Sequence, residues 1–468
     1  MSVTRWDDDR GATRVSVALA ERSGWTLLVE RDGQIVATEH HNDWHRVERR
    51  RKLLETTTRR RLERVAAALA VTAAIAAPVA AQEPPAALFP EPTIVTKAVD
   101  FVTEFKGDDT ATAKDGFYPD VGRMITGAGW ISFGPGYRHH LFTGRAVIDL
   151  STAISWRAYK TAQARFEFPS LAADHVAIGS QVFWQDLTQL VYYGGGADST
   201  EAGQSDYRLQ ASDAVLYAVV RPSRAVSLTS RIGWLSRPGL SSSTGPFDRD
   251  LPDTMQQFPG EPGAHLVRQP GFLHADMSIV ADTRDHPGHP SQGGLYRAAW
   301  AEFRDRDQGA FAFERYEIEG AHFVPLLAGR SVLVVHGWGV FSTTTESREV
   351  PFYLLPSLGG HNTVRSYGDY RFHDRDMVVV NAESRWALMP HVDAALFVDA
   401  GNVAPRAADL NLARTAYGAG MRVHSGASTF ARFDVAKGHE GWRIQLRLND
   451  PFRFGRLKQR TAAVPFVP

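Results

Sequence analysis

The chain has 468 residues with 52 basic and 52 acidic side chains, and it contains no cysteine. The charge balance argues against a nucleic-acid binder, which needs a net basic face to displace phosphate counterions. The missing thiols exclude disulfides, thiolate catalysis and cysteine-ligated zinc.

Residues 1–58 alternate only weakly, with one hairpin expected over 25–36 around Asp32-Gly33 and a basic run at 46–52. They read as an N-terminal extension, explained most simply by a start codon set too far upstream; the alternative is a small cytoplasmic domain before an anchor. Residues 59–81 have the order of a secretory signal: Arg59, Arg60, Arg61 and Arg64, an apolar run at 65–79, then Ala80-Ala81 before Gln82. A charged start, a short apolar core and small exit residues are what signal peptidase selects. Residues 82–115, rich in Pro, Ala, Thr and Asp, are expected to be a linker with at most one short helix. No run after residue 82 is long and apolar enough for a spanning helix, so a membrane span here requires a closed barrel.

From about residue 126 the chain alternates with period two. In Trp442-Arg443-Ile444-Gln445-Leu446-Arg447-Leu448 every apolar residue is followed by a polar one, and Ser227, Thr229 and Arg231 share a face opposite Leu228 and Ile232. Both a soluble sandwich and a membrane barrel bury one face of such strands. Segments of ten or more residues, polar faces rich in Arg, Glu, Asp and Gln, and aromatics such as Trp130, Trp156, Trp184, Trp234 and Trp300 towards strand ends favour the barrel. The predicted strands are 126–137, 141–154, 157–168, 174–186, 206–220, 224–236, 271–283, 294–305, 311–323, 330–342, 377–389, 392–401, 413–424, 428–437 and 440–449. Bacterial barrels close with an even number of strands, which places a sixteenth near 113–124. The expected fold is therefore all-β: a transmembrane antiparallel β-barrel over residues 116–454, followed by a basic tail at 455–468. Short connections alternate with long ones at 187–205, 237–270 and 343–376.

Four segments carry motifs. Asp282-Thr283-Arg284-Asp285-His286-Pro287, with Pro290 and Gly293, forms a turn; Leu358-Gly359-Gly360 leads to Val364-Arg365-Ser366-Tyr367 in the long loop 343–376. Asn381-Ala382-Glu383-Ser384-Arg385 and Phe397-Val398-Asp399-Ala400-Gly401-Asn402 lie on the next two strands. If that loop folds into the lumen, Arg365 can meet Glu383 and Asp399 in forked, charge-assisted bonds that pin it there. On the residues alone, a solvated Arg365 and two wetted acids are the favoured reading.

In order and spacing these segments resemble the barrel of the Omp85 superfamily, which includes BamA, TamA and the bacterial surface antigen D15. The resemblance implies that the loop arginine pairs with acids at the Glu383 and Asp399 positions. It also implies an outer-membrane protein that assists insertion or translocation of protein or lipid. Its partners would be membrane lipid, unfolded client proteins or lipids, and periplasmic factors; no cofactor or enzymatic step is implied. Three departures stand out. Ser366 replaces the family's usual glycine, the linker leaves no room for periplasmic POTRA domains, and the chain runs beyond its last strand, where Phe452 or Phe454 takes the place of a terminal aromatic.

Other signals carry less. The His286/His289 spacing suits a metal, but the flanking prolines and aspartates favour a turn. Tyr417-Gly418-Ala419-Gly420 has no following helix to cradle a phosphate. Glu383 and Asp399 have no nucleophile beside them to make an acid/base pair. The rival functions are a passive channel constricted by the 343–376 loop, a lipid-modifying barrel enzyme, which would need a nucleophilic Ser or His at the membrane boundary, and a surface barrel acting through its outer loops.

Overall fold

The computed structural model describes four strands within residues 2–41, the stretch 88–97 except residue 94, and residues 115–447 apart from 123–124, 126–127, 129–131, 248–249, 328, 346 and 426–428. The expected signal at 59–81, the tail at 455–468 and both candidate terminal aromatics lie outside the described residues. Residues 1–81 and 82–468 make separate units and are taken one at a time.

In the first unit, β1 (Ser2–Asp8), β2 (Gly11–Leu19), β3 (Trp25–Arg31) and β4 (Gln34–His41) form an antiparallel sheet in chain order. The expected hairpin is present as β3 and β4, where Arg31 pairs with Gln34. Two further strands join it, so this segment carries more order than its weak alternation suggested.

The second unit is a closed antiparallel barrel. Its wall begins with β5 (Gly116–Gly122), β6 (Ser132–Leu141), β7 (Ala146–Ser155), β8 (Lys160–Leu171), β9 (Val176–Tyr192) and β10 (Ser205–Val220). It continues with β11 (Val226–Leu235), β12 (Gly239–Ser241), β13 (Phe272–Asp282), β14 (Gly293–Asp305), β15 (Phe313–Leu326) and β16 (Ser331–Thr343). A two-strand ribbon, β17 (Ser357–Leu358) and β18 (Phe372–His373), interrupts the wall. The wall ends with β19 (Asp376–Met389), β20 (Val392–Ala404), β21 (Arg414–His424), β22 (Thr429–Gly438) and β23 (Gly441–Arg447), which lies beside β5. β12 pairs with β10 beyond the end of β11, Leu240 opposite Leu209, so it extends β11 after a break and adds no strand. The wall therefore has sixteen strands, including the one expected near 113–124.

Two expectations are corrected. The segment predicted at 126–137 is displaced to Ser132–Leu141, and the outer loop predicted at 187–205 shrinks because β9 runs to Tyr192. In both places the pattern was blurred, by glycines at 127, 129, 134 and 136 and by the run from Gln185 to Leu190, which is buried on both faces.

The exposure of the two faces decides what surrounds the barrel. On β15, Ile318 is 64% exposed while its inward neighbours Glu317 and Glu319 are 8% and 7% exposed. On β23, Trp442, Ile444 and Leu446 face out and Gln445 faces in. A water-soluble protein orients these residues the other way; an apolar exterior around a charged interior is the pattern of a membrane barrel. Inside, charges pair directly across strands: Arg138 with Asp149 at 2.7 Å and Arg231 with Asp276 at 2.7 Å. At one end of the wall the segment before the barrel touches the β19–β20 turn: the Phe89 N–H donates to the Leu388 carbonyl at 2.9 Å, and Glu91 accepts from the His391 backbone N–H at 3.0 Å.

An arginine at position 318 separates the two environments. In lipid, Ile318→Arg at mid-strand is expected to cost about 2–4 kcal/mol, read as a lower temperature for losing the fast-migrating folded band on an unboiled gel. In water an exposed Ile→Arg change would be close to neutral, so an unchanged transition would count against a lipid-facing wall.

Candidate functional site: the lumen loop and its charge cluster

Residues 344–375 leave β16 and turn back into the barrel instead of standing in solvent. From Val350 to His373 almost every residue is buried. Phe352, Tyr353 and Leu354 pack with Tyr192 and Tyr207 near the loop's base, and deeper in, Leu358, Val364, Tyr367 and Phe372 join Trp338, Met377 and Val379 of the wall. The ribbon β17–β18 pairs Ser357 with His373 and Leu358 with Phe372, closing the loop's neck.

The tip owes its shape to its two glycines. Gly359 and Gly360 have φ of +119° and +92°, which side chains disfavour. A Cβ on Gly359 would also lie 2.3 Å from the Gly368 carbonyl oxygen. Local bonds complete the turn: the Gly359 N–H donates to Thr363 Oγ1 at 2.9 Å, and the Gly360 N–H to the Tyr367 carbonyl at 3.1 Å. With Val364 and Tyr367 buried among apolar neighbours, Arg365 projects towards the wall.

There it meets both acids singled out in the sequence. Arg365 Nε and Nη2 donate to Asp399 at 2.9 and 2.7 Å, and Nη1 donates to Glu383 Oε2 at 2.6 Å. The Arg365 backbone N–H also reaches Asp399 at 3.1 Å, and its carbonyl accepts from Gln445 Nε2 of β23 at 2.8 Å. The guanidinium lies 3.4 Å over the Phe397 ring. That face-on contact adds cation–π attraction in a desolvated place.

The cluster is larger than the motif. Glu383 also accepts from Arg385 at 3.0 Å and from Arg422 Nη2 at 2.8 Å, so one carboxylate serves three guanidiniums. Arg422 continues to Asp434 at 2.6 Å, and Arg432 donates to the His361 carbonyl of the loop at 2.8 Å. Asn381 bridges Asp399 and the Thr363 carbonyl at 2.8 and 2.6 Å. Arg422, Arg432 and Asp434 carried no signal in the sequence beyond lying on polar faces. Arg422 and Arg432 are directly opposite across β21 and β22, a like-charge pairing that makes sense only with a shared acid nearby.

Ser366, the departure from the family pattern, has an ordinary negative φ and is buried against Gly438. A Cβ on Gly438 would fall 2.1 Å from Ser366 Oγ. The extra side chain in the loop is matched by a missing one in β22. Among the described residues Ser366 Oγ has no hydrogen-bond partner.

The other motif is far from the loop tip, in the turn between β13 and β14. Asp282 accepts from Arg284 Nε at 2.9 Å and Nη2 at 2.8 Å, and Arg284 Nη1 donates to the Pro287 carbonyl at 2.9 Å. Asp285 caps the backbone N–H groups of His286 at 2.8 Å and Ser291 at 3.0 Å. Burial works to raise its pKa, but the donors of Ser291, His286 and Gln292 outweigh it and hold the carboxyl below its usual range. Gly293, at φ +86°, closes the turn where a Cβ would strike the Thr283 carbonyl. His286 is exposed and shares no site with His289.

A family model described as the Omp85 superfamily domain matches residues 144–455. Among solved structures, BamA from Haemophilus ducreyi lacking POTRA domains 1–3 is similar with a TM-score of 0.52 and 14% identity, over 75% of this chain and 76% of that one. CdiB from Acinetobacter baumannii aligns at a TM-score of 0.42 and 11% identity, over 70% of this chain and 58% of that one. CdiB from Escherichia coli aligns at 0.42 and 14%, over 71% and 60%. No curated protein matches the chain.

The connectivity of the cluster ranks its members. Arg365→Ala leaves Glu383 with two arginines and Asp399 with Asn381, and is expected to destabilise the folded barrel by about 2–3 kcal/mol. Glu383→Gln removes the carboxylate that three buried guanidiniums share, leaving Arg365 with Asp399 and Arg422 with Asp434, and is expected to cost more, about 3–5 kcal/mol. Heat-modifiability midpoints of the two variants check the order; the reverse order would contradict the shared role of Glu383.

Proposed function

Because the chain belongs to the Omp85 superfamily, we propose that it is an integral barrel of the bacterial outer membrane that assists insertion or translocation of protein or lipid. Its lumen is held shut by the Arg365 loop. The observation that carries this reading is the loop itself: it fills the lumen and is tied to four strands of the wall, through Glu383, Asp399, Arg432 and Gln445. A pore meant for passive flow has no use for so many buried ion pairs across its own bore, each of which must be desolvated.

The apolar exterior sets the place of action and the balanced interior sets its mode. Client segments or lipids would be handled at the wall and the mouth, where strand edges and membrane meet, with Arg365, Glu383 and Asp399 pinning the loop. Unfolded client proteins, lipids and periplasmic factors are the partners this reading assigns. It needs no cofactor and no catalytic group.

Two measurements test it. In planar bilayers the wild-type barrel is expected to show little steady conductance, while deletion of residues 359–367 opens a large one; a large steady conductance in the wild type would favour a passive channel instead. In proteoliposomes, the barrel is expected to speed the folding of an unfolded outer-membrane client several-fold over empty vesicles. Equal rates with and without the barrel would contradict an insertion role.

A further inference from the structure

The β13–β14 turn does more than reverse the chain. Four strands, β14, β15, β16 and β19, separate it from β20 around the barrel. Yet the Gly288 carbonyl accepts from the Thr429 backbone N–H at the start of β22, at 2.9 Å. The turn therefore reaches over the barrel's mouth to the opposite wall, at the end where strands are joined by short connections. His289, at its tip, meets two residues brought there by other elements: Asp393, at the start of β20, and His424, at the end of β21.

The three side chains converge. His289 Nε2 lies 3.2 Å from Asp393 Oδ2 and His424 Nε2 lies 3.2 Å from Asp393 Oδ1, and the ligand atoms all fall within 4.8 Å of one another. The two imidazole rings stack with centroids 3.6 Å apart and only 6° between their planes. Each outer ring nitrogen is already engaged: His289 Nδ1 with Thr429 Oγ1 at 3.1 Å and His424 Nδ1 with the Ser425 carbonyl at 3.1 Å.

From this donor set we infer that His289, Asp393 and His424 bind one divalent first-row cation of the zinc type, clipping the turn to the far wall. The chemistry is that of a two-histidine, one-carboxylate site. Donor atoms on a tetrahedral zinc stand about 3.3 Å apart, given metal–ligand bonds of roughly 2.0–2.2 Å; each histidine nitrogen lies 3.2 Å from its own oxygen of Asp393, close to such an edge, so the carboxylate faces both rings. The outer bonds match too. A ligating histidine commonly donates its second N–H to a carbonyl, carboxylate or other acceptor, which fixes the tautomer and leaves the opposite nitrogen for the metal. The two nitrogens of His424 face a carbonyl and a carboxylate, neither of which can donate, so the ring carries either two protons or one proton and a cation. A cation between Nε2 and Asp393 satisfies both faces with a single proton on the ring. Seating it asks the stacked rings to open from parallel, and the remaining coordination position is left for water. The site differs from the His286/His289 pair that sequence spacing suggested: only His289 takes part, and its partners lie more than a hundred residues downstream.

The test uses the full chain, refolded in detergent after chelation and checked for its folded band on an unboiled gel. Titration with Co²⁺ is expected to reach one ion per chain with the visible absorption of tetrahedral cobalt, and Zn²⁺ should displace it. His289→Gln and His424→Gln are expected to weaken binding by more than about 100-fold, and Thr429→Val, which keeps all three ligands, by about 10-fold. Folded wild-type protein that takes up no Co²⁺ or Zn²⁺ stoichiometrically would overturn the inference. So would Thr429→Val or folded histidine variants that bind as the wild type does.

Discussion

A barrel in a membrane must place its polar side chains inside, and the inside must then satisfy them. That constraint shapes most of this molecule. Where strands carry opposite charges side by side, as Arg138 and Asp149 or Arg231 and Asp276 do, the wall balances itself. At β19 to β22 the charges match in number but not in place: Arg385, Arg422 and Arg432 crowd Glu383 and Asp434, while among the described residues no cation of an adjacent strand reaches Asp399. Arg365 of the loop supplies that missing cation and shares Glu383 with the others. The loop is therefore part of the wall's ion pairing as well as a plug, and the glycines at 359 and 360 let it turn tightly enough to arrive.

The barrel is closed from both ends by chain that crosses it. From one side the long loop descends and locks onto four strands. At the short-turn end, the β13–β14 connection reaches over to β22 and holds His289 against Asp393 and His424. The two devices differ in strength. Charge-assisted bonds in a buried cluster resist solvent and salt, whereas a turn tip joined by a few bonds is released more easily.

Much of this was legible in the sequence because β-strands write their two faces in alternate letters. Strands such as Phe272–Asp282 and Asp376–Met389 fell within a residue of their predicted bounds. The count of sixteen followed from parity. The reading slipped where glycine erased the alternation, displacing the strand at Ser132–Leu141, and where both faces of the strand are buried, hiding the far end of β9. In the site, Arg365, Glu383 and Asp399 could be picked out because they sit in motifs with fixed spacing. Arg422, Arg432 and Asp434 could not, since a charge facing the lumen looks the same in sequence whether it pairs or is wetted. The His289, Asp393 and His424 cluster was invisible for a simpler reason: closure of the barrel, not chain proximity, brings a turn after the eighth strand to the thirteenth and fourteenth.

The position of the loop can be measured directly, because the chain has no cysteine to interfere. Ser366→Cys places a thiol of nearly the same size beside Arg365, and Ser242→Cys places one on an exposed outer loop. In the folded barrel a membrane-impermeant maleimide is expected to label Cys at 242 within minutes and to leave Cys at 366 unmodified until the barrel is unfolded, or until Arg365→Ala is added. Equal labelling of the two sites in the folded wild-type background would contradict a loop locked in the lumen.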